Sequence, residues 1–223
     1  MKKILSVILL SCIILSFVAC GANNTNSEEN KNNQHKQTNL DISMDSLMKT
    51  NESDKSNFEY TITEDGVCIN RYIGDDAVVV IPTKIENTEV YKIANQAFAN
   101  NDTVQAIRIA DTVTDLSGYG TFINCLNLKY LVLGEGVEVL GDYSVTGCLN
   151  LEEIRLNENL KKIGELGLYA GSDKLKEIYI PESVIEMDGG VFNPFSIIYV
   201  KAGSYAEEYV KNYTSALHDY VVE

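Results

Sequence analysis

Residues 122–140 read FINCLNLKYLVLGEGVEVL, and residues 145–163 read VTGCLNLEEIRLNENLKKI. Laid one over the other, they match Cys125 to Cys148, Leu128 to Leu151 and the pair Leu131/Leu133 to Ile154/Leu156. Working outward, large apolar residues recur at Phe98, Phe122, Val145, Tyr169 and Phe192, with spacings of 24, 23, 24 and 23. Three residues after each stand Asn101, Cys125, Cys148, Ser172 and Phe195. Alternating pairs follow at Ile107/Ile109, Leu131/Leu133, Ile154/Leu156 and Ile178/Ile180, then Val113/Leu116, Val137/Leu140, Leu160/Ile163 and Val184/Met187. Self-similarity at one period is the signature of a repeat architecture.

An apolar-x-apolar pair is a short strand with one buried face. A unit of this length cannot enclose a core, so each must bury its inner side against its neighbours. The expected outcome is a parallel, right-handed, β-rich solenoid of about five coils, with strands about 4.8 Å apart. Gly118, Gly120, Gly134, Gly141 and Gly164 fall where the backbone must turn sharply.

These residues resemble the BspA-type leucine-rich repeat of bacterial surface proteins, loosely I-x-I-P-x-x-V-x-x-I, a turn, then A-F-x-x-C-x-x-L. Ile81-Pro82, Ile180-Pro181, Ala97-Phe98, Cys125 and Cys148 keep that pattern, while Ala110, Gly134 and Asn157 replace the proline. The resemblance runs over about residues 58–213 and implies a scaffold used for adhesion or other contacts, not a chemistry. Phe58 to Ile73 reads as a hairpin turning at Glu64-Asp65-Gly66, an N-terminal cap over residues 58–76. The repeats then occupy 77–200. In the C-terminal cap, 201–223, Ser204 is set to start a helix with Tyr205, Tyr209 and Tyr213 on one face.

The N-terminus places this scaffold. Lys2 and Lys3 precede an apolar run from Ile4 to Ala19, the pattern of a signal peptide spanning residues 1–19. Phe17-Val18-Ala19-Cys20 resembles a bacterial lipobox, which implies that Cys20 becomes a diacylglyceryl-bearing N-terminus on the outer face of the cytoplasmic membrane. Acyl chains hold a protein at a bilayer at about 0.8 kcal/mol per buried CH₂. A membrane-spanning anchor and plain secretion are the rival readings. Residues 20–57 form an expected disordered tether: between Gly21 and Asn57 there is no aromatic residue and no proline, and Asn abounds. Within it, Leu40, Ile42, Met44, Leu47 and Met48 suffice for one transient helical turn.

Composition narrows the function. With 18 Lys+Arg against 32 Asp+Glu and a net charge of −14, the chain is no nucleic-acid binder. His35 and His218 are the only histidines and sit outside the repeats, so no nucleophile-base pair is apparent and an enzyme is not expected. No CxxC pair offers a zinc site, so neither metal nor cofactor is expected beyond the lipid. Cys125 and Cys148 fall at equivalent positions of adjacent coils and read as buried free thiols, with a disulfide the alternative that export permits.

Specificity then rests on strand residues alternating with the buried ones: Arg108, Val132, Arg155, Tyr179 and Tyr199 in one column, Ala106, Tyr130, Glu153 and Glu177 in the other. Tyr and Arg are the types enriched at binding hot spots. Arg108, Tyr130, Val132, Glu153, Arg155, Glu177, Tyr179 and Tyr199 are therefore the candidate contacts for a protein or glycan partner. The alternatives are a structural envelope protein without a ligand, or an accessory subunit of a membrane complex.

Overall fold

The computed structural model describes residues 42–213 and 219–223. The expected signal peptide, Cys20 and the first part of the expected tether lie outside the described residues. Residues Leu40–Glu223 form one compact unit. Its apolar clusters are built from residues within that unit, so it carries its own means to fold.

The strands run in chain order as β1 (Phe58–Thr63), β2 (Gly66–Tyr72), β3 (Val78–Val80), β4 (Lys84–Ile85), β5 (Thr88–Ile93), β6 (Ala106–Arg108), β7 (Tyr130–Val132), β8 (Val139–Leu140), β9 (Glu153–Arg155), β10 (Lys162–Ile163), β11 (Glu177–Tyr179), β12 (Glu186–Met187), β13 (Ile197–Val200) and β14 (Tyr220–Val222). Helices α1 (Met44–Lys49) and α2 (Tyr205–Tyr213) flank them. Short parallel strands recur because each coil contributes only one inward apolar residue between two outward ones. Ile107 pairs with Leu131 and Leu131 with Ile154, all three in the core.

One wall is the parallel series β3-β6-β7-β9, continued by β11-β13-β14. A second wall is β8-β10-β12, extended by single bridges Leu116–Leu140 and Lys92–Asp115 towards β5 and its parallel partner β2. On a third side, backbone bonds link successive turns, Phe98 N–H to the Thr121 carbonyl and Phe122 N–H to that of Ser144, both at 2.9 Å. The stack has about seven turns, more than the five expected. At one end of the first wall β3 holds the Val79 of an expected first coil, while at the other β14 adds a strand that the repeat pattern does not mark.

The register also departs from the expected one in the fourth coil. Leu168, not Tyr169, is the fully buried residue opposite Phe192, and Tyr169 faces solvent. The extra residue is absorbed before Ser172, whose hydroxyl is buried and donates to the Leu151 carbonyl at 2.7 Å. Phe195 likewise turns outward, and Asn193 and Ser196 fill the interior beside it.

Corners repeat as faithfully as strands. Gln96, Gly120, Tyr143, Leu166 and Gly190 all hold left-handed φ between 52° and 63°, one per coil. Glycine adopts that conformation without a Cβ clash, whereas other residues incur a local cost. Gly134 serves another need: a Cβ there would lie 2.3 Å from the Ala110 carbonyl oxygen of the preceding coil.

Residues 58–72 form the expected hairpin, with β1 antiparallel to β2. At the other end, Ser204 Oγ accepts the Glu207 N–H at 3.1 Å at the start of α2. That helix buries Ala206, Tyr209 and Val210, while Tyr205 remains exposed, so its inner face is not the tyrosine stripe read from the sequence. β14 was not anticipated: the expected terminal cap returns to the sheet.

The expected tether ends earlier than residue 57. Ser43 caps α1 reciprocally with Ser46, and Met44 and Leu47 are buried. A helix of one and a half turns is not stable alone in water. It persists because Met44 and Leu47 join Val80, Ala106 and Val132 in a second apolar cluster on the outside of the first wall. Burying one Leu contributes about 1.5–3 kcal/mol. Ser53 then pairs with Val80 in both directions, its N–H to the Val80 carbonyl at 2.9 Å and the Val80 N–H to its Oγ at 3.1 Å.

Candidate partner-binding face

Strand register sets the outward residues in two columns. Ala106, Tyr130 and Glu153 are aligned, as are Arg108, Val132 and Arg155; Tyr179 is aligned with Tyr199 on the next pair. The columns change character along the stack. Val78, Val80, Ala106 and Val132 make the first half apolar, and α1 lies over them. The second half carries Glu153, Arg155, Glu177, Tyr179 and Tyr199.

The eight expected contact residues therefore divide. Val132 is buried, Tyr130 packs against the cluster that holds α1, and Arg108 is half-buried with its Nη2 donating to the Thr50 carbonyl at 2.9 Å. These three serve the chain's own helix. Arg155, Glu177 and Tyr179 are exposed, with Glu153 and Tyr199 half-buried beside them.

These five line a groove of about 860 Å³ between the wall and the segments at Ile180–Glu182 and Val200–Lys201. The rings of Tyr179 and Tyr199 stack at 4.4 Å between centroids and 14° between planes. Both phenols donate to one carboxylate: Tyr179 to Glu177 Oε2 at 3.1 Å and Tyr199 to Glu177 Oε1 at 3.3 Å. The hydrogen bond to Glu177, then desolvation and that residue's charge, push the Tyr179 phenol up to about 12. Burial and the Glu177 charge raise Tyr199 as well. Arg155 folds back onto Glu153 at 2.7 Å.

The cysteines lie elsewhere. Cys125 and Cys148 are fully buried free thiols, and each Sγ is 3.1 Å from a carbonyl oxygen one coil back, Phe98 and Phe122 respectively. Among the described residues no group of His, Cys, Asp or Glu is arranged to hold a metal ion, and no helix is long and apolar enough to cross a membrane. Sequence reasoning missed the role of Glu177 as the acceptor shared by two tyrosines. The signal was present in the Glu177-x-Tyr179 spacing, which puts both side chains on the same face.

Six copies of the BspA type leucine rich repeat region match within residues 81–209. The chain belongs to the BspA-type leucine-rich-repeat family of bacterial surface proteins. Among solved structures, this BspA-type chain is similar to the leucine rich repeat protein of T. pallidum, with 25% identity and a TM-score of 0.62 over 67% of this chain and 72% of that one. A leucine-rich repeat protein from Bacteroides ovatus aligns at 22% identity and TM-score 0.54, covering 78% of this chain and 53% of the other. The pneumococcal vaccine antigen PcpA aligns at 16% and 0.53, over 76% and 49%. The last two carry the fold alone. No curated protein matches the chain.

Proposed function

We propose that this BspA-type protein is a lipid-anchored interaction module, held at the outer surface through Cys20, that binds a macromolecule with the second half of its first wall. The observation carrying this reading is the groove at Tyr179, Tyr199 and Glu177, on the stretch of outward residues that α1 leaves uncovered. A stacked aromatic pair supplies large contact area at low side-chain entropy, and Arg155 and the glutamates supply directional contacts. The family supports a binding role over catalysis, because its repeat is a scaffold. An accessory subunit docking through its tyrosine-rich terminal helix would use Tyr205, which is exposed, and not Tyr209, which is buried.

The test is capture of ligands from protein and glycan arrays by the Leu40–Glu223 unit, repeated with Tyr179→Ala and Arg155→Ala. Loss of a saturable ligand in both variants supports the face; unchanged capture moves the site elsewhere. Mass spectrometry of the membrane-extracted protein, with Cys20→Ala for comparison, tests the anchor.

A further inference from the structure

We propose that the groove recognises an arginine side chain presented by a partner protein, with Glu177 as the receiving carboxylate; this rests on the binding reading above. A carboxylate has about four acceptor positions, two on each oxygen. The two tyrosines occupy one on Oε1 and one on Oε2. One position remains on each oxygen, and a guanidinium, with five N–H donors, can reach both. Lysine offers a point charge with no such fork, so it satisfies the two oxygens less well.

The surroundings favour a cation. Among the described residues no basic group pairs with Glu177, in contrast to Glu153, which Arg155 neutralises. Six glutamates line the groove against four basic residues, and the whole chain carries −14. The phenol hydrogen bonds hold the carboxylate in one orientation before a ligand arrives, which lowers the ordering cost of binding. Tyr179, 53% exposed, leaves ring surface for the methylene stem and guanidinium plane to lie against.

The probe is a set of labelled nonapeptides with one central arginine, each paired with a lysine version and a citrulline version. Citrulline keeps the shape and removes the charge. Titration into the Leu40–Glu223 unit is expected to give a subset of arginine peptides that saturate. Binding should fall about tenfold with lysine and be lost with citrulline. Glu177→Gln should weaken the arginine peptides about tenfold while leaving the melting temperature unchanged, because the residue is exposed. Equal binding of all three versions, no binding of any, or full affinity in Glu177→Gln overturns the inference.

The two readings fail differently. If an array ligand, glycan included, is lost with Tyr179→Ala and Arg155→Ala but ignores Glu177→Gln, the face stands and arginine recognition falls. If those two variants also leave all capture intact, the binding face falls with it.

Discussion

Arg108 Nη2 donates to the carbonyl of Thr50, tying the C-terminal end of α1 to the second strand of the first wall at 2.9 Å. A cation at a helix C-terminus meets both an unsatisfied carbonyl and the negative end of the helix dipole. Together with Leu47, fully buried beneath the helix, this contact fixes α1 on β6. Leu47→Asp is expected to release the helix. Hydrogen exchange should show loss of protection over residues 44–50 and retention across β7, β9 and β11. The stability lost should be about 2–5 kcal/mol at most, the range of a buried Leu truncation. Loss of protection throughout the solenoid would contradict a locally docked helix.

Close approach at the coil corners predicts a sharp contrast between two glycines. Gly134→Ala places a Cβ against the backbone of Ala110 and within 2.8 Å of the Ile109 carbonyl oxygen, atoms that cannot rotate away. Overpacking of this kind costs about 1–3 kcal/mol. Gly189→Ala meets nothing within 4 Å and should be close to neutral. Urea denaturation of both variants checks the difference.

Gln96 stands at a left-handed corner, φ 56°, that Gly120 fills in the next coil. Its side chain is exposed, so glycine there removes backbone strain without deleting packing. A left-handed residue costs about 1–2 kcal/mol, and glycine returns part of that gain through a more flexible unfolded chain. Gln96→Gly should therefore raise stability by about 0.5–1 kcal/mol, read as a higher urea midpoint with unchanged slope.

The Lys92–Asp115 pair makes stability depend on pH in a stated direction. Burial opposes ionisation of Asp115, but hydrogen bonds from Lys92 at 2.6 Å and from Ser117 outweigh it and hold the carboxyl below 3.8. Lys92 is raised above 10.5, first by its hydrogen bond to Asp115. The aspartate's contribution is present above pH 3.8 and disappears as pH falls through its lower folded value; the lysine's is present below pH 10.5 and disappears above it. Both side chains are about a third exposed, so the pair contributes no more than about 1 kcal/mol. The gap between the native protein and Asp115→Asn should be widest near neutrality and close in acid.

Thiol chemistry should discriminate the cysteines. Cys68 is half-buried, and desolvation raises its pKa; Cys148 is fully buried and raised well above the usual thiol range, first by its contact with Cys125. In the Leu40–Glu223 unit, iodoacetamide should modify Cys68 slowly, and Cys125 and Cys148 only on unfolding. Native-state labelling of all three at one rate would contradict the buried ladder.

The solenoid was legible because its period is written in side chains that must all point inward: Phe98 and Phe122 in one ladder, Ile107, Leu131 and Ile154 in another. Where a polar residue does the same work, the pattern misleads. Asn157 is buried because its Nδ2 satisfies the carbonyls of Gly134 and Val137, and Leu168 displaces Tyr169 because one extra residue is absorbed locally. The left-handed corners at Tyr143 and Leu166 carry no sequence mark, since neither is a residue type that favours that conformation. The binding face was legible as columns but not as two unlike halves. Val78, Val80, Ala106 and Val132 were apolar at outward positions, and Met44 and Leu47 had the matching helical spacing, yet no local rule says that one covers the other.

That covering makes the apolar stretch of the wall conditional on one short helix. Without Met44 and Leu47 in place, Val80, Ala106 and Val132 would lie bare to water as a hydrophobic strip, and sheet faces of that kind invite self-association. Removal of residues 42–50 is thus expected to make the solenoid sticky as well as less stable.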